Sequence, residues 1–544
     1  MQARQTAALA VQHLYYQLNN GNYLFRDLNV ILPNHIQGLT GRNGAGKSVL
    51  AELLIGQRQP HTGQIQRYCS IGLLPQALPP SSTQTIADYL SVNVALKALK
   101  RIERGSNDAK DFERAGDNWL IREALCEALV NFELPHSLST PIASLSGGQL
   151  TRLALLKLDR ENADFLILDE PSNHLDTAGK RWLVNWLQEQ KKGSLLISHD
   201  RALLRAVDSM WELNSLGITH YGGHYDAYYQ QQQLQHKSTQ AKLEKAHANT
   251  KKIELANKQL HERAAQKSAK GCRDRRTINQ SKVLLDIAKE RSGKTDSRLK
   301  ATLQAKLNQA QEYARKVNSQ AQTLLPQNFT VASPAITHGR LLTLNNVMLP
   351  YISSLQHPIS FTISAGQRIA ITGPNGSGKS TLLTVIMNQL QPLSGTTSQR
   401  RGYFALLDQH CQLLNQSQTV LTNLQTLAPG CDLQVYHTLL AQLRFARHQA
   451  DEPVSCLSGG ERMKLAIAAL LSGSKGPDLL VLDEPNNHLD LDTLGILEQA
   501  LKQFTGALII ASHDDDFIQS LDINQHYSLC PGGLYPTQAV SKSP

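Results

Sequence analysis

The chain has 544 residues, 41% of them hydrophobic and 18% charged, and a formal net charge of +10. That length allows two or three domains with cores of their own, and the composition excludes wholesale disorder. No apolar run approaches the roughly 20 residues that a membrane-spanning helix needs. The opening MQARQTAALAVQHLYY joins no basic segment to an apolar core, so no signal peptide is expected. The seven cysteines (Cys69, Cys126, Cys272, Cys411, Cys431, Cys456 and Cys530) are scattered and never spaced as C-x-x-C. This argues against a disulfide framework or a zinc site and for a reduced, cytoplasmic setting.

In chain order, residues 36–39 read as a strand, followed by Gly41-Arg-Asn-Gly-Ala-Gly-Lys-Ser48 and a helix at 49–55. A helix-compatible stretch at 91–129 carries Lys97, Lys100, Arg101 and Arg104. Next come Leu145-Ser-Gly-Gly-Gln149, then a short apolar run at 165–168 ending in Asp169-Glu170-Pro-Ser-Asn-His-Leu-Asp176, then Ile197-Ser-His-Asp200. After a connector at about 223–335 the series returns: a strand at 368–371, Gly373-Pro-Asn-Gly-Ser-Gly-Lys-Ser380, and a helix at 381–390. Leu457-Ser-Gly-Gly-Glu461, an apolar run at 479–482, Asp483-Glu484-Pro-Asn-Asn-His-Leu-Asp490 and Ala511-Ser-His-Asp514 complete it.

The last three motifs repeat at offsets of 312, 314 and 314 residues, and the glycine-rich loops at 332. Four motifs in one order, twice, establish an internal repeat. The distance from Lys47 to Ser146 is 99 residues against 79 from Lys379 to Ser458, so the first copy carries about 20 extra residues, placed at about 91–129. The expected fold is α/β, with two copies at 1–222 and 336–544 and a linker at 223–335.

A strand, a G-x-x-x-x-G-K-S loop and a helix together make a phosphate cradle, because glycines let backbone N–H groups curl round an anion at a helix N-terminus. The loops comprise Gly41, Asn43, Gly44 and Gly46 in the first copy, and Gly373, Asn375, Gly376 and Gly378 in the second. Lys47 and Lys379 supply charge, Ser48 and Ser380 a hydroxyl for Mg²⁺, and Thr381 opens the second helix. Asp169 and Asp483, at strand ends, suit a Mg²⁺ contact, and Glu170 and Glu484, one residue on, suit the polarisation of an attacking water.

These residues resemble the ATP-binding cassette superfamily, and the resemblance covers both copies. It implies two cassettes of the P-loop NTPase type that hydrolyse ATP with Mg²⁺. It also implies that the signature residues Ser146, Gly147 and Gly148 face the Lys379 loop, while Ser458, Gly459 and Gly460 face the Lys47 loop. Gln76 and Gln409 look like the loop glutamines near Mg²⁺ and water, and His199 and His513 like the switch histidines. Tyr15, Tyr16 and Tyr351 are left open as adenine-stacking aromatics.

Asn-His-Leu-Asp after both glutamates is similar to the ABC-F family, tandem-cassette proteins that bind the ribosome near its exit-tRNA site. The chain departs from that family's pattern at Ser172 and Asn486, where threonine is usual, and at Glu461 and Asp514-Asp515-Asp516. These departures raise the expectation that the two sites hydrolyse at different rates. Residues 227–325 hold 21 Lys and Arg against 8 Asp and Glu, a net of +13, which leaves −3 for the remainder. Charge so concentrated is a footprint for a polyanion.

Leu299, Leu303, Leu307, Ala310, Ala314, Val317, Ala321 and Leu324 form one apolar helical stripe, and 228–265 has weaker spacing. Two antiparallel helices of about 35 and 30 residues, reaching roughly 45–50 Å, are expected. Their tip at about 267–294 carries Arg273, Arg275, Arg276, Lys282, Lys289 and Arg291. By the resemblance, this hairpin points toward the peptidyl-transferase centre, and the segment at 91–129 is the family's ribosome-contacting arm.

A monomer that pairs its own cassettes, with rRNA and tRNA as partners, is therefore expected to protect ribosomes from antibiotics or to relieve stalled translation. The hairpin's length favours the former. The alternatives are the tandem ATPase subunit of a transporter, which would have no use for a basic hairpin, and a DNA-processing ATPase.

Overall fold

The computed structural model describes residues 7–18, 21, 23–76, 84–116, 119–173, 175–190, 192–214, 217–277, 301–302, 304–318, 331–352, 355–408, 411–430, 432–443, 445–473, 475–487 and 489–537. Two units emerge, one of residues 1–228 with 327–544 and one of residues 229–326.

The first unit holds two copies of one sheet topology. In the first copy six strands run in the order Ile71–Leu74, Phe165–Asp169, Gly193–Ile197, Ile36–Gly41, Ser209–Asn214 and Gly217–Gly222. The first five pair in parallel, and the last joins antiparallel. The second copy has the order Phe404–Leu407, Leu479–Asp483, Ala507–Ala511, Arg368–Thr372, Gln525–Cys530 and Gly533–Thr537. Each sheet has an antiparallel three-stranded companion, one centred on Ala7–Gln17 and the other on Arg340–Met348. The central strands Phe165–Asp169, Gly193–Ile197 and Ala507–Ala511 are buried along their whole length. Continuous apolar runs are what a parallel sheet covered on both faces requires.

The glycine-rich loop leaves the central strand of each sheet. Each loop ends on a left-handed glycine, Gly46 at φ 96° and Gly378 at φ 97°, from which the helices Lys47–Ile55 and Lys379–Ile386 start. The helices thus begin on the lysines, two residues earlier than the sequence suggests. The second stops at Ile386, before the left-handed Asn388 at φ 56°.

The extra residues of the first copy form helices. Thr85 and Thr419 occupy equivalent positions, each an N-cap bridged to a proline, Pro141 and Pro453. Between these markers the first copy has Ile86–Tyr89, Asn93–Glu103, Ala109–Ala115 and Ile121–Asn131, and the second has the α-helices Val420–Leu427 and Leu433–Gln442.

The helix Tyr225–Thr277, all but its first four residues in the second unit, runs for 53 residues, well beyond the length expected from sequence, and passes through Gly271. One glycine costs a helix about 1 kcal/mol and does not end it. Residues 301–302 and 304–318 are also helical. Leu307, Ala310 and Val317 of the expected stripe are buried, as is Ala246, whereas Leu234 is exposed. Leu299, Leu303, Ala321 and Leu324, and Lys282, Lys289 and Arg291 of the basic tip, lie outside the described residues. Among the described residues no helix is long and apolar enough to cross a membrane.

Candidate nucleotide sites

Each phosphate loop is shaped by backbone that no side chain could share. A Cβ on Gly41 would collide with the carbonyl of Leu213, and one on Gly373 with that of Leu529. Gly44 and Gly376, at φ 80° and 77°, have nothing within 4 Å of a Cβ position, leaving open space above the loop. Lys47 Nζ donates to the Gly41 and Arg42 carbonyls at 2.7 and 3.1 Å. Lys379 Nζ donates to those of Gly373 and Pro374 at 2.8 and 3.1 Å and lies 2.9 Å from His513 Nε2. Burial lowers the proton affinity of both lysines, against the pull of Glu170 on Lys47 and of Glu484 on Lys379.

The acidic pair sits at the end of its strand in both copies. Ser48 bonds the Asp169 carboxylate and Ser380 that of Asp483. Glu170 and Glu484 adopt left-handed backbone, φ 50° and 45°, a conformation costly for any residue but glycine. Each is pinned by its N–H, which donates at 2.8 Å to the carbonyl of Ile197 or Ala511 on the neighbouring strand. His199 Nε2 lies 3.5 Å from Glu170 Oε1, and His513 Nε2 lies 3.5 Å from Glu484 Oε1. Burial pushes Glu170 up to about 8 and Glu484 up to about 7, against Lys47 and Lys379. Burial first, then the same lysines, drives His199 down to about 3 and His513 to about 4.

The signature serines cap the helices Gly147–Glu161 and Gly459–Leu471. Ser146 Oγ accepts from the Gln149 N–H and Ser458 Oγ from the Glu461 N–H, and the Gln149 and Glu461 side chains reach back to the serine N–H groups. The result is a capped helix N-terminus that opens on two glycines, a second anion cradle.

Two cavities bring these pieces together across the copies. One, of about 770 Å³, is lined by Asn43, Gly44, Gly46, Lys47, Ser48, Gln76, Asp169, Glu170 and His199 of the first copy and by Ser458, Gly459, Gly460 and Arg462 of the second. The other, of about 520 Å³, unites Asn375, Gly376, Gly378, Lys379, Ser380, Thr381, Asp483, Glu484 and His513 with Ser146, Gly147 and Gly148. Volumes of this order suit a nucleotide. Ser hydroxyl, Asp carboxylate and the Gln76 amide are hard oxygen donors, a set that fits Mg²⁺. Gln409, the counterpart of Gln76, lies outside the described residues.

Side chains that sequence reasoning did not place also line these cavities. Asn173 and Asn487, in the repeated Asn-His-Leu-Asp motif, do so, while the motif's His174 and His488 lie outside the described residues. Asp490 of the same motif accepts from the Asn43 N–H at 2.9 Å and caps its own helix through Thr493. Tyr351 lines the second cavity, and Leu18 and Leu24 the first. Tyr15 and Tyr16 line neither; Tyr16 packs against Phe25 and His61.

The family model described as ABC transporter matches residues 27–173 and 356–487. The chain is 30% identical over 543 residues to the ATP-binding protein Uup of Haemophilus influenzae, covering 92% of this chain and 77% of that one. It is 29% identical over 511 residues to the ribosome protection protein VmlR of Bacillus subtilis, covering 91% and 82%. The solved structure of RNase-L Inhibitor superposes with a TM-score of 0.57 at 18% identity, over 95% of this chain and 87% of that one, a likeness of fold. With two matched cassettes and relatives alike along most of its length, this chain belongs to the ABC-F family of ATP-binding cassette proteins and is an ATPase.

Proposed function

We propose that this protein is a cytoplasmic, ribosome-associated ATPase that clamps two ATP molecules between its cassettes and uses its basic linker on the tRNA and peptidyl-transferase region. The observation that carries the clamp is that each cavity is lined by the phosphate loop of one cassette and the signature of the other. A nucleotide in either place contacts both cassettes, so binding favours their closure.

Lys47 and Lys379 hold the terminal phosphates, with the loop N–H groups around them. Ser48, Asp169 and Gln76 would hold Mg²⁺ at the first site, and Ser380, Asp483 and Gln409 at the second. Bound there, the ion would neutralise charge on the phosphate oxygens. Glu170 and Glu484 take the proton of the attacking water. Their raised proton affinities sit near neutrality, where a general base works best. His199 and His513, neutral because buried, orient the terminal phosphate.

The likeness to VmlR and the linker's net charge of +13 support the ribosome as partner. Action through the linker would either displace antibiotics or free stalled ribosomes.

The test is co-sedimentation of the Glu170→Gln, Glu484→Gln variant with purified ribosomes, with and without ATP, across a salt series. Pelleting that needs ATP and falls with salt is expected, because phosphate contacts release counterions. No pelleting at low salt with ATP would remove the ribosome as main partner.

A further inference from the structure

Lys180 stands on the helix Thr177–Gln190, where the repeat offset of 314 places Leu494 in the second copy. Its side chain is 14% exposed, and its ammonium pairs at 2.6 Å with Asp200 of its own cassette. Burial opposes the charge, but Asp200 outweighs it and holds the proton above the ordinary lysine value. Lys180 nevertheless lines the second cavity beside Lys379, Glu484 and His513, all contributed by the other cassette. Its charge is felt there, helping to keep Glu484 ionised and opposing protonation of His513.

Among the described residues the first cavity has no such group, since Leu494 is 3% exposed and does not line it. The second cassette instead contributes Arg462, whose repeat partner is Leu150. A mostly buried ammonium on a flexible stem, beside an anion site, can exchange its carboxylate partner for a phosphate oxygen.

We propose that Lys180 of the first cassette binds the terminal phosphate of the nucleotide held by the second cassette's loop, making the two sites chemically unequal. The proposal rests on the reading of the cavities as ATP sites. Asp200 caps the helix that follows His199, which lines the first cavity. Exchange of Asp200 for phosphate therefore links occupancy of the second site to the switch loop of the first.

The test uses the full chain. In a Glu170→Gln background only the second site turns over, and in a Glu484→Gln background only the first. Lys180→Leu is expected to lower kcat/KM about tenfold in the former and by less than about twofold in the latter, the size of one lost charge-assisted contact. Lys180→Arg should restore most of the loss, which a purely structural role would not require. Lys180→Gln, which can still bond Asp200, should behave like Lys180→Leu and guards against misfolding. Equal losses in both backgrounds, or none, would overturn the assignment. Failure of the parental Glu170→Gln, Glu484→Gln variant to bind ATP would instead overturn the nucleotide reading, and this proposal with it.

Discussion

The first and second cavities are made from the same repeated motifs, yet the side chains around those motifs differ. The first receives Arg462 from the opposite signature helix, and the second receives Lys180 from the opposite cassette. The loops after the switch histidines differ too. On one side of the pseudo-symmetric interface Arg201 pairs with Glu498 at 2.8 Å, and Arg205 pairs with Asp516 at 2.6 Å. The repeat positions opposite are Asp515 and Val184, and Gln519 and Ala202, which cannot form these pairs. The motifs that line the two cavities are repeated, while the side chains around them differ and fasten one side of the interface.

The largest effect expected is on turnover. Glu170→Gln with Glu484→Gln should cut hydrolysis by at least about 100-fold while ATP stays bound, because an amide keeps the shape but cannot take a proton. The single variants should then reveal each site's share. Parental hydrolysis by the double variant would sink the assignment of the bases.

Asp490 ties the second cassette to the first phosphate loop. Burial pushes its carboxyl up, but Lys464, Thr493 and the Asn43 N–H outweigh this and bring it to about 2. Its folded value lies below the unfolded one, so its contribution is present above about pH 4 and is lost as pH falls toward about 2. Asp490→Ala should cost about 2 kcal/mol at pH 7 through a lost cap and a lost charged hydrogen bond. Urea denaturation at pH 7 would check this, and an unchanged midpoint would break the proposed tie.

Asp514 shows the opposite sign. Burial, with Asp200 adding to it, holds its carboxyl up to about 6 despite the Phe517 N–H and Arg201. Its counterpart Asp200 has Lys180, whereas Leu494 stands in the equivalent place for Asp514. A folded value above the unfolded one means that ionisation costs stability as pH rises from about 4 to about 6. Asp514→Asn should therefore stabilise by up to about 3 kcal/mol above pH 6 and by nothing below pH 4. Thermal unfolding across that range distinguishes this from a pH-independent change.

The smallest effect belongs to Arg205, whose pair with Asp516 is partly exposed. Arg205→Gln, which copies Gln519, should cost at most about 1 kcal/mol and be masked by salt. A larger loss that persists at high salt would mean that the fastening depends on packing rather than charge.

Much of this was legible in the sequence because the chemistry is local. A phosphate loop needs its glycines, lysine and serine within eight positions, and a buried strand announces itself as an apolar run ending in Asp-Glu. The strands expected at 165–168 and 479–482 start where Phe165–Asp169 and Leu479–Asp483 start and end one residue short of them. The long linker helix exceeds its expected length, because glycine punctuates a sequence more strongly than it breaks a helix that is otherwise well formed.

The aromatic residues could not be sorted by position. Tyr16 lies near the end of the strand Ala7–Gln17 and Tyr351 follows Arg340–Met348, and only packing sends one against Phe25 and leaves the other at a cavity. Lys180, Arg462 and Asp490 lie beside groups contributed by the other cassette, roughly 200 to 450 positions away in the chain. The sequence by itself determined the two cassettes, their phosphate loops and their acidic pairs, since each is a short segment whose residues meet by backbone geometry alone. Tertiary structure decided which loop faces which signature and what charge surrounds each cavity, because those neighbours meet only when two separately folded sheets pack together.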